Sequence, residues 1–410
     1  MSSSPFTDLT NSSQPKPKNS DNDSNFNKWF LLTLVVSMWL VLSFNIVVDP
    51  YGIYKTPNFF GINHVKIQKN SNDRLHKAID IIRIKPLTIF LGSSRTKQGL
   101  DPTHPALSNA QPAYNLGIDS ANSYEMMRYL QHTLKNQPHL KQVIVGIDFF
   151  MFNELLLNRP GFDESRLEKT YLIPADIMNS LFSLDTWEVS KKTMLASLKE
   201  PNKNELYGEN GFVPYSEYKN GKTRWNFKYS LGLYLNRYHY YKFSDKYFDD
   251  FQKIVNLCRE NKIKLIVFIS PSHATQWEAV RAAGKWEIFE NWKRKAVQVT
   301  PVWDFSGYNT ITNEPINDVM ENYADNSHYV KPVGDLLLNR ILSYQENEVP
   351  ADFGVLVTKE NIESHLGKIR SDREEWVKTR PNELDLVESL QRKFVEELKK
   401  QNKRTMKIIR

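Results

Sequence analysis

Twenty consecutive residues without a charge, 29–48 (WFLLTLVVSMWLVLSFNIVV), restrict what this chain can become more than any other stretch. A helix of that length reaches across the hydrocarbon of a bilayer, and a buried core helix would carry a polar stripe that this run lacks. The run also exceeds the apolar part of a cleavable signal, and Asp49-Pro50-Tyr51-Gly52 follows it instead of small residues. It therefore reads as an uncleaved signal anchor over 28–48, with Trp29 placed for an interfacial belt. Residues 1–27 are rich in Ser, Asn, Asp, Pro and Lys, with almost nothing apolar to bury, and are expected to be disordered. Lysines flank the run on both sides, and large domains translocate largely regardless of such charges. The expected topology is single-pass in the cytoplasmic membrane, amino terminus inside and the large domain outside.

The formal charge of +7 does not mark a nucleic-acid groove. Lys399, Lys400, Lys403, Arg404, Lys407 and Arg410 crowd the carboxyl end, and the rest of the chain is nearly balanced. A lone Cys258 excludes an intrachain disulfide.

Beyond the anchor, short apolar runs alternate with helical patterns. Strands are expected at 87–91, 113–118, 142–149, 263–269 and 301–305, with helices at 72–84, 123–136, after a Ser244 cap, at 276–297 and through Leu336 to Leu342. This rhythm predicts an α/β domain over 49–349, a three-layer αβα arrangement around a mostly parallel five-stranded sheet. Residues 151–243 interrupt it as a helical, aromatic-rich insertion, densest at 225–243. Tyr and Trp rings there can line a sugar or lipid surface, although their commonest use is packing. Residues 350–410 form a charged helical extension, divided at Pro381, in which Val387, Leu390, Phe394 and Leu398 share one face. It reads as a docked or solvated helix, with a partner-binding helix and a membrane contact by the basic tail as the alternatives.

The candidate chemistry starts at Leu87, in LTIFLGSSRT. A buried strand ends at Gly92, and the hydroxyl that follows lies at the carboxyl edge of the sheet, where ligands of open α/β sheets bind. Ser93 and Ser94 can also serve simply as helix caps. Far along the chain, Asp325 precedes His328 by three positions, a spacing that lets the carboxylate orient the imidazole while its other nitrogen faces a serine. His273, after the fourth strand, is a candidate substrate contact or rival base, and Arg95 a candidate clamp for a substrate carboxylate or phosphate. Both have plain structural uses as well. No ligand spacing of the H-x-x-x-H kind points to a metal, and no cofactor is called for.

Together these pieces resemble the SGNH/GDSL hydrolase superfamily, particularly its membrane-anchored branch similar to alginate O-acetyltransferase-like and D-alanyl-teichoic-acid transfer proteins. Gly92-Ser93-Ser94-Arg95-Thr96 is similar to the first block, with Ser93 in place of its Asp and Ser94 on the nucleophile. Asn115-Leu116-Gly117-Ile118-Asp119-Ser120 resembles the second, Gly146-Ile147-Asp148 the third with Asp148 in place of an Asn, and Asp325 with His328 the last. The resemblance implies a flavodoxin-like fold, a Ser94-His328-Asp325 triad, and an oxyanion hole among Ser94, Gly117, Ser120 and Asp148. An ionised Asp148 cannot donate a hydrogen bond, so it must be protonated there or be replaced by backbone amides such as those of Ser94 and Ser120. The implied activity is a serine esterase or O-acyltransferase, most naturally for acetyl, acting on envelope or secreted polysaccharide and supplied by a multispanning membrane acyl donor. The competing expectation is a catalytically inactive envelope assembly or binding protein, for which the Ser93 and Asp148 departures speak.

Overall fold

The computed structural model describes residues 20–66, 72–199, 210–215 and 221–409. Most of the stretch expected to be disordered lies outside the described residues. From Ser20 the backbone is already helical, so residues 20–27 belong to helix α1 (Ser20–Val48) and not to a loose tail. Its segment Ser24–Val48 is long and apolar enough to cross a membrane, with a mean hydropathy of 2.4 over its most apolar 18 residues.

The sheet has six strands: β1 (Thr88–Gly92), β2 (Ala113–Gly117), β3 (Gln142–Ile147), β4 (Lys264–Ile269), β5 (Val302–Asp304) and β6 (Val355–Val357), in the order β2-β1-β3-β4-β5-β6. The first five run parallel and β6 pairs antiparallel with β5. β1, β2 and β3 are buried along their whole length, as strands covered on both faces must be. Ile89 and Leu91 point into one core and Phe90 into another on the opposite face, following the two-residue repeat of a strand.

Helices α2 (Asp73–Ile84), α3 (Ser94–Gly99) and α4 (Ser123–Asn136) flank the first strands. Asn122 caps α4 by accepting from the Glu125 N–H. The insertion supplies α5 (Pro174–Phe182), α6 (Leu184–Leu198) and α7 (Thr223–His239). Along α7, Phe227, Leu231, Tyr234 and Tyr238 are buried, whereas Trp225 and Tyr229 stay exposed and stack on each other. α8 (Asp245–Glu260), capped by Ser244, leads into β4. α9 (Ala274–Ala282) and α10 (Trp286–Val299) stand where a single helix was expected; Gly284, at φ +69°, breaks the run. α11 (Lys331–Ile341), α12 (Ile362–Thr379) and α13 (Pro381–Ile409) complete the chain.

Two further expectations change. The sheet has a sixth strand, and it comes from the segment assigned to a separate extension. That extension is built into the domain: Leu366, Ile369 and Trp376 of α12 are core residues, and Arg373 makes a two-bond ion pair with Glu278. Val387 of α13 is buried, in keeping with a docked helix. The side chains of the basic tail beyond Gln401 lie outside the described residues.

Candidate active site

Ser93 and Ser94 divide the work that a helix start allows. Ser93 is the cap, its hydroxyl accepting from the Arg95 N–H at 3.2 Å. Ser94 is the first helical residue, half-buried, and its Oγ lies 2.8 Å from His328 Nε2. Across the ring, His328 Nδ1 lies 2.8 Å from Asp325 Oδ2. The other carboxylate oxygen accepts the backbone N–H groups of Ser327 (2.7 Å) and His328 (2.9 Å), which fix the carboxylate beside the ring. Burial alone would push the Asp325 carboxyl up, but His328 and these hydrogen bonds hold it below its ordinary value. An ionised Asp325 selects the Nδ1–H tautomer and leaves Nε2 free to accept the serine proton.

The 234 positions between Ser94 and His328 close because two helices cross almost backbone to backbone. A Cβ on Gly334 of α11 would overlap the Gly99 carbonyl of α3, and one on Gly99 would overlap the Tyr329 ring. Glycine at both places lets α3, which begins with the serine, lie directly under the loop that carries the histidine. α3 itself sits low on the sheet, since side chains on Gly92, Gly117 or Gly146 would run into Thr96 or Lys97.

Two of the four residues expected in an oxyanion hole are committed to other partners. Asp148 is buried and accepts on both oxygens: Oδ1 takes Arg95 Nη1 at 2.7 Å and Oδ2 takes Ser93 Oγ at 2.6 Å. It offers no donor, so the assignment of Asp148 to the hole is corrected. Gly117 is corrected as well, because its N–H is already given to Asn115 Oδ1 at 2.8 Å. Ser120 follows the end of β2 in the left-handed region at φ +53°, and among the described residues neither its amide nor that of Ser94 has a hydrogen-bond acceptor. Those two N–H groups remain as donors.

Arg95 and His273 also leave the substrate-binding set. Arg95 is almost fully buried, bonded to Asp148, to Ser327 Oγ at 2.9 Å and to Tyr234 Oη at 3.4 Å. Burial would lower its guanidinium pKa, but the neighbouring Asp148 carboxylate more than offsets this and the net direction is up. Removing one partner of such a pair leaves a bare buried charge, at a cost of about 3–5 kcal/mol. His273 is buried with Nδ1 against Thr275 and Nε2 donating to the Glu314 carbonyl at 2.7 Å, and burial pushes its pKa down to about 4.

Some neighbours of the site carry no mark in the sequence. The two departures from the resembled family, Ser93 and Asp148, meet each other as donor and acceptor. Lys97 of α3 bridges Asp73 (2.9 Å) and Asp119 (2.7 Å), pinning the loop that ends in Ser120. Tyr215, from the insertion, stacks over His328 with ring centroids 6.3 Å apart. No spacing rule could have found it, because the chain between β3 and α8 has no repeat to count along.

A cleft of about 390 Å³ lies elsewhere, lined in part by Asp73, Arg74, Arg166 and Asp176, whose charges are taken up in ion pairs. Among the described residues no group of three or more His, Cys, Asp or Glu side chains is placed to hold a metal ion. Comparison with known proteins finds no matching family model, no matching curated protein and no matching solved structure.

Proposed function

We propose that the chain is a membrane-anchored serine esterase or O-acyltransferase of the SGNH type, a flavodoxin-like variant of the sheet described above. The observation that carries this reading is the relay Ser94 Oγ, His328, Asp325, with both hydrogen bonds at 2.8 Å. Ser94 Oγ attacks an acyl carbonyl while His328 Nε2 takes its proton, and the oxyanion forms against the Ser94 and Ser120 amides. Collapse expels the first alcohol, which leaves with the proton from His328. Water or a sugar hydroxyl then attacks the acyl-serine, giving hydrolysis or transfer. Lack of a side-chain donor where the resembled family has Asn lowers the rate, by about a hundredfold to a thousandfold on the usual scale for one oxyanion contact.

Acetyl is the acyl group favoured by the resemblance, an envelope or secreted polysaccharide the acceptor, and a multispanning membrane protein the donor. In this reading α1 crosses the cytoplasmic membrane with the amino terminus inside and the site outside. The test is hydrolysis of a model acetyl ester by the full chain in detergent. Ser94→Ala is expected to abolish turnover, and trapping with the ester should leave an acetylated Ser94 peptide in the mass spectrum of the unaltered protein. Equal turnover by both proteins overturns the proposal and leaves the non-catalytic assembly role.

A further inference from the structure

α1 does not leave its apolar stretch on a free linker. Asn45 is fully buried inside that stretch, donating to the Leu181 carbonyl of α5 at 2.8 Å and accepting from Ser190 Oγ of α6 at 2.8 Å. Phe44 packs on Trp187 with ring centroids 4.8 Å apart. The carbonyls at the end of a helix have no partners within it. Here Thr56 Oγ1 donates to the Ile46 carbonyl (2.7 Å), Asn63 Nδ2 to Val47 (2.9 Å) and Lys66 Nζ to Val48 (3.1 Å). The loop 56–66 is therefore folded back along the last turn of α1, and α5 and α6 stand beside it at the same level.

These surrounding elements expose apolar side chains: Phe59 and Phe60 on the loop, Met178 and Phe182 on α5, Leu195 and Leu198 on α6. Phe60 is 78 % exposed and Leu198 61 % exposed, and Leu198 lies against Gly61, so loop and helix form one surface. A helix rises 1.5 Å per residue, so the uncharged run spans roughly 30 Å, about the hydrocarbon thickness of a bilayer. Its far end, residues 45–48, then lies at the boundary between acyl chains and headgroups. The exposed apolar groups of the loop and of the two helices that contact this end lie near that depth.

We propose that α5, α6 and the loop 56–66 form a collar that seats in the headgroup layer of the bilayer that α1 crosses, so that the domain is held against the lipid by a surface as well as by a single helix. The proposal rests on α1 spanning the membrane. Its occupant is lipid, since the apolar surface is continuous with the helix that lipid already covers, and Asn45, a polar side chain within the span, finds its partners only in the collar among the described residues.

The test uses single cysteines carrying an environment-sensitive fluorophore in the full chain, reconstituted into vesicles of phosphatidylcholine and phosphatidylglycerol. Cys258 is buried and its thiol is pushed up to about 12, so it does not compete for label. Probes at Phe60→Cys, Phe182→Cys and Leu198→Cys are expected to shift to the blue and to be quenched severalfold by lipids spin-labelled near the headgroup. A probe at Lys368→Cys, on α12 at the far edge of the sheet, should show neither effect, and one at Val36→Cys should be quenched by lipids labelled deep in the chain. If the three collar probes behave like position 368 while position 36 is quenched, the collar is overturned and the span stands. If position 36 is not quenched, the span fails and the collar with it.

Discussion

Arg95 and His273 illustrate how a residue type that suits chemistry is diverted by its neighbours. Each stands at the carboxyl edge of a strand, where sequence reasoning places substrate contacts, yet each is enclosed by partners brought from other segments. Ser94, Asp325 and His328 were legible because one pair is only three positions apart and the serine follows a recognisable strand and glycine. The Arg95–Asp148 pair was not, because it joins the ends of β1 and β3 through space and nothing in either segment announces the other. His273 carries a testable consequence. Its pKa is about 4 in the fold against 6.5 when free, so between those values the unfolded chain binds a proton that the native one does not. Stability therefore rises with pH across this window, and acidification from 6.5 towards 4 removes it. In His273→Asn the melting temperature should be lower at neutral pH but fall less over that window than in the unaltered protein. Parallel slopes in thermal melts would show that His273 is not the group that titrates.

At the level of elements, the crossing of α3 and α11 decides whether the triad exists. Gly334→Ala should force the two helices apart, with an overpacking cost of about 1–3 kcal/mol. Under the proposed function, a displacement of about 1 Å at the Ser94–His328 contact would reduce acetyl-ester turnover roughly a hundredfold. Thermal melts and turnover measured together separate this from simple unfolding, since a folded protein with normal activity would show that the crossing does not set the geometry. Elements with strong local signals matched their expected places: α4 and α8 have caps and clear apolar faces, and β1 is a continuous apolar run. β6 was invisible because three residues, Val355 to Val357, carry too little pattern to separate a strand from a turn. The break between α9 and α10 was missed for the opposite reason, as apolar spacing continues through Gly284 and hides it.

For the molecule as a whole, β6, α12 and the start of α13 are built into the core, through Val357, Leu366, Ile369, Trp376 and Val387. Truncation at Pro350 would strip β6 from β5, leave Glu278 without Arg373, and remove His365 from Asp304, to which it is bonded at 2.8 Å. The truncated chain is expected to lose its cooperative melting transition; a sharp melt near that of the full chain would show that the domain ends earlier. Domain limits were harder to read than the site because composition alone separates charged from apolar stretches, and an amphipathic helix docked on a core looks, in sequence, like one that is solvated. The hydrogen bonds from Thr56, Asn63 and Lys66 to the end of α1 have one more effect. If α1 spans a bilayer as proposed, a tether with no slack makes reach a constant: every copy would hold Ser94 at one height above the lipid. Under the proposed function, acceptor strands would then be modified within a single thin stratum, at a pace governed by how densely the copies populate the surface.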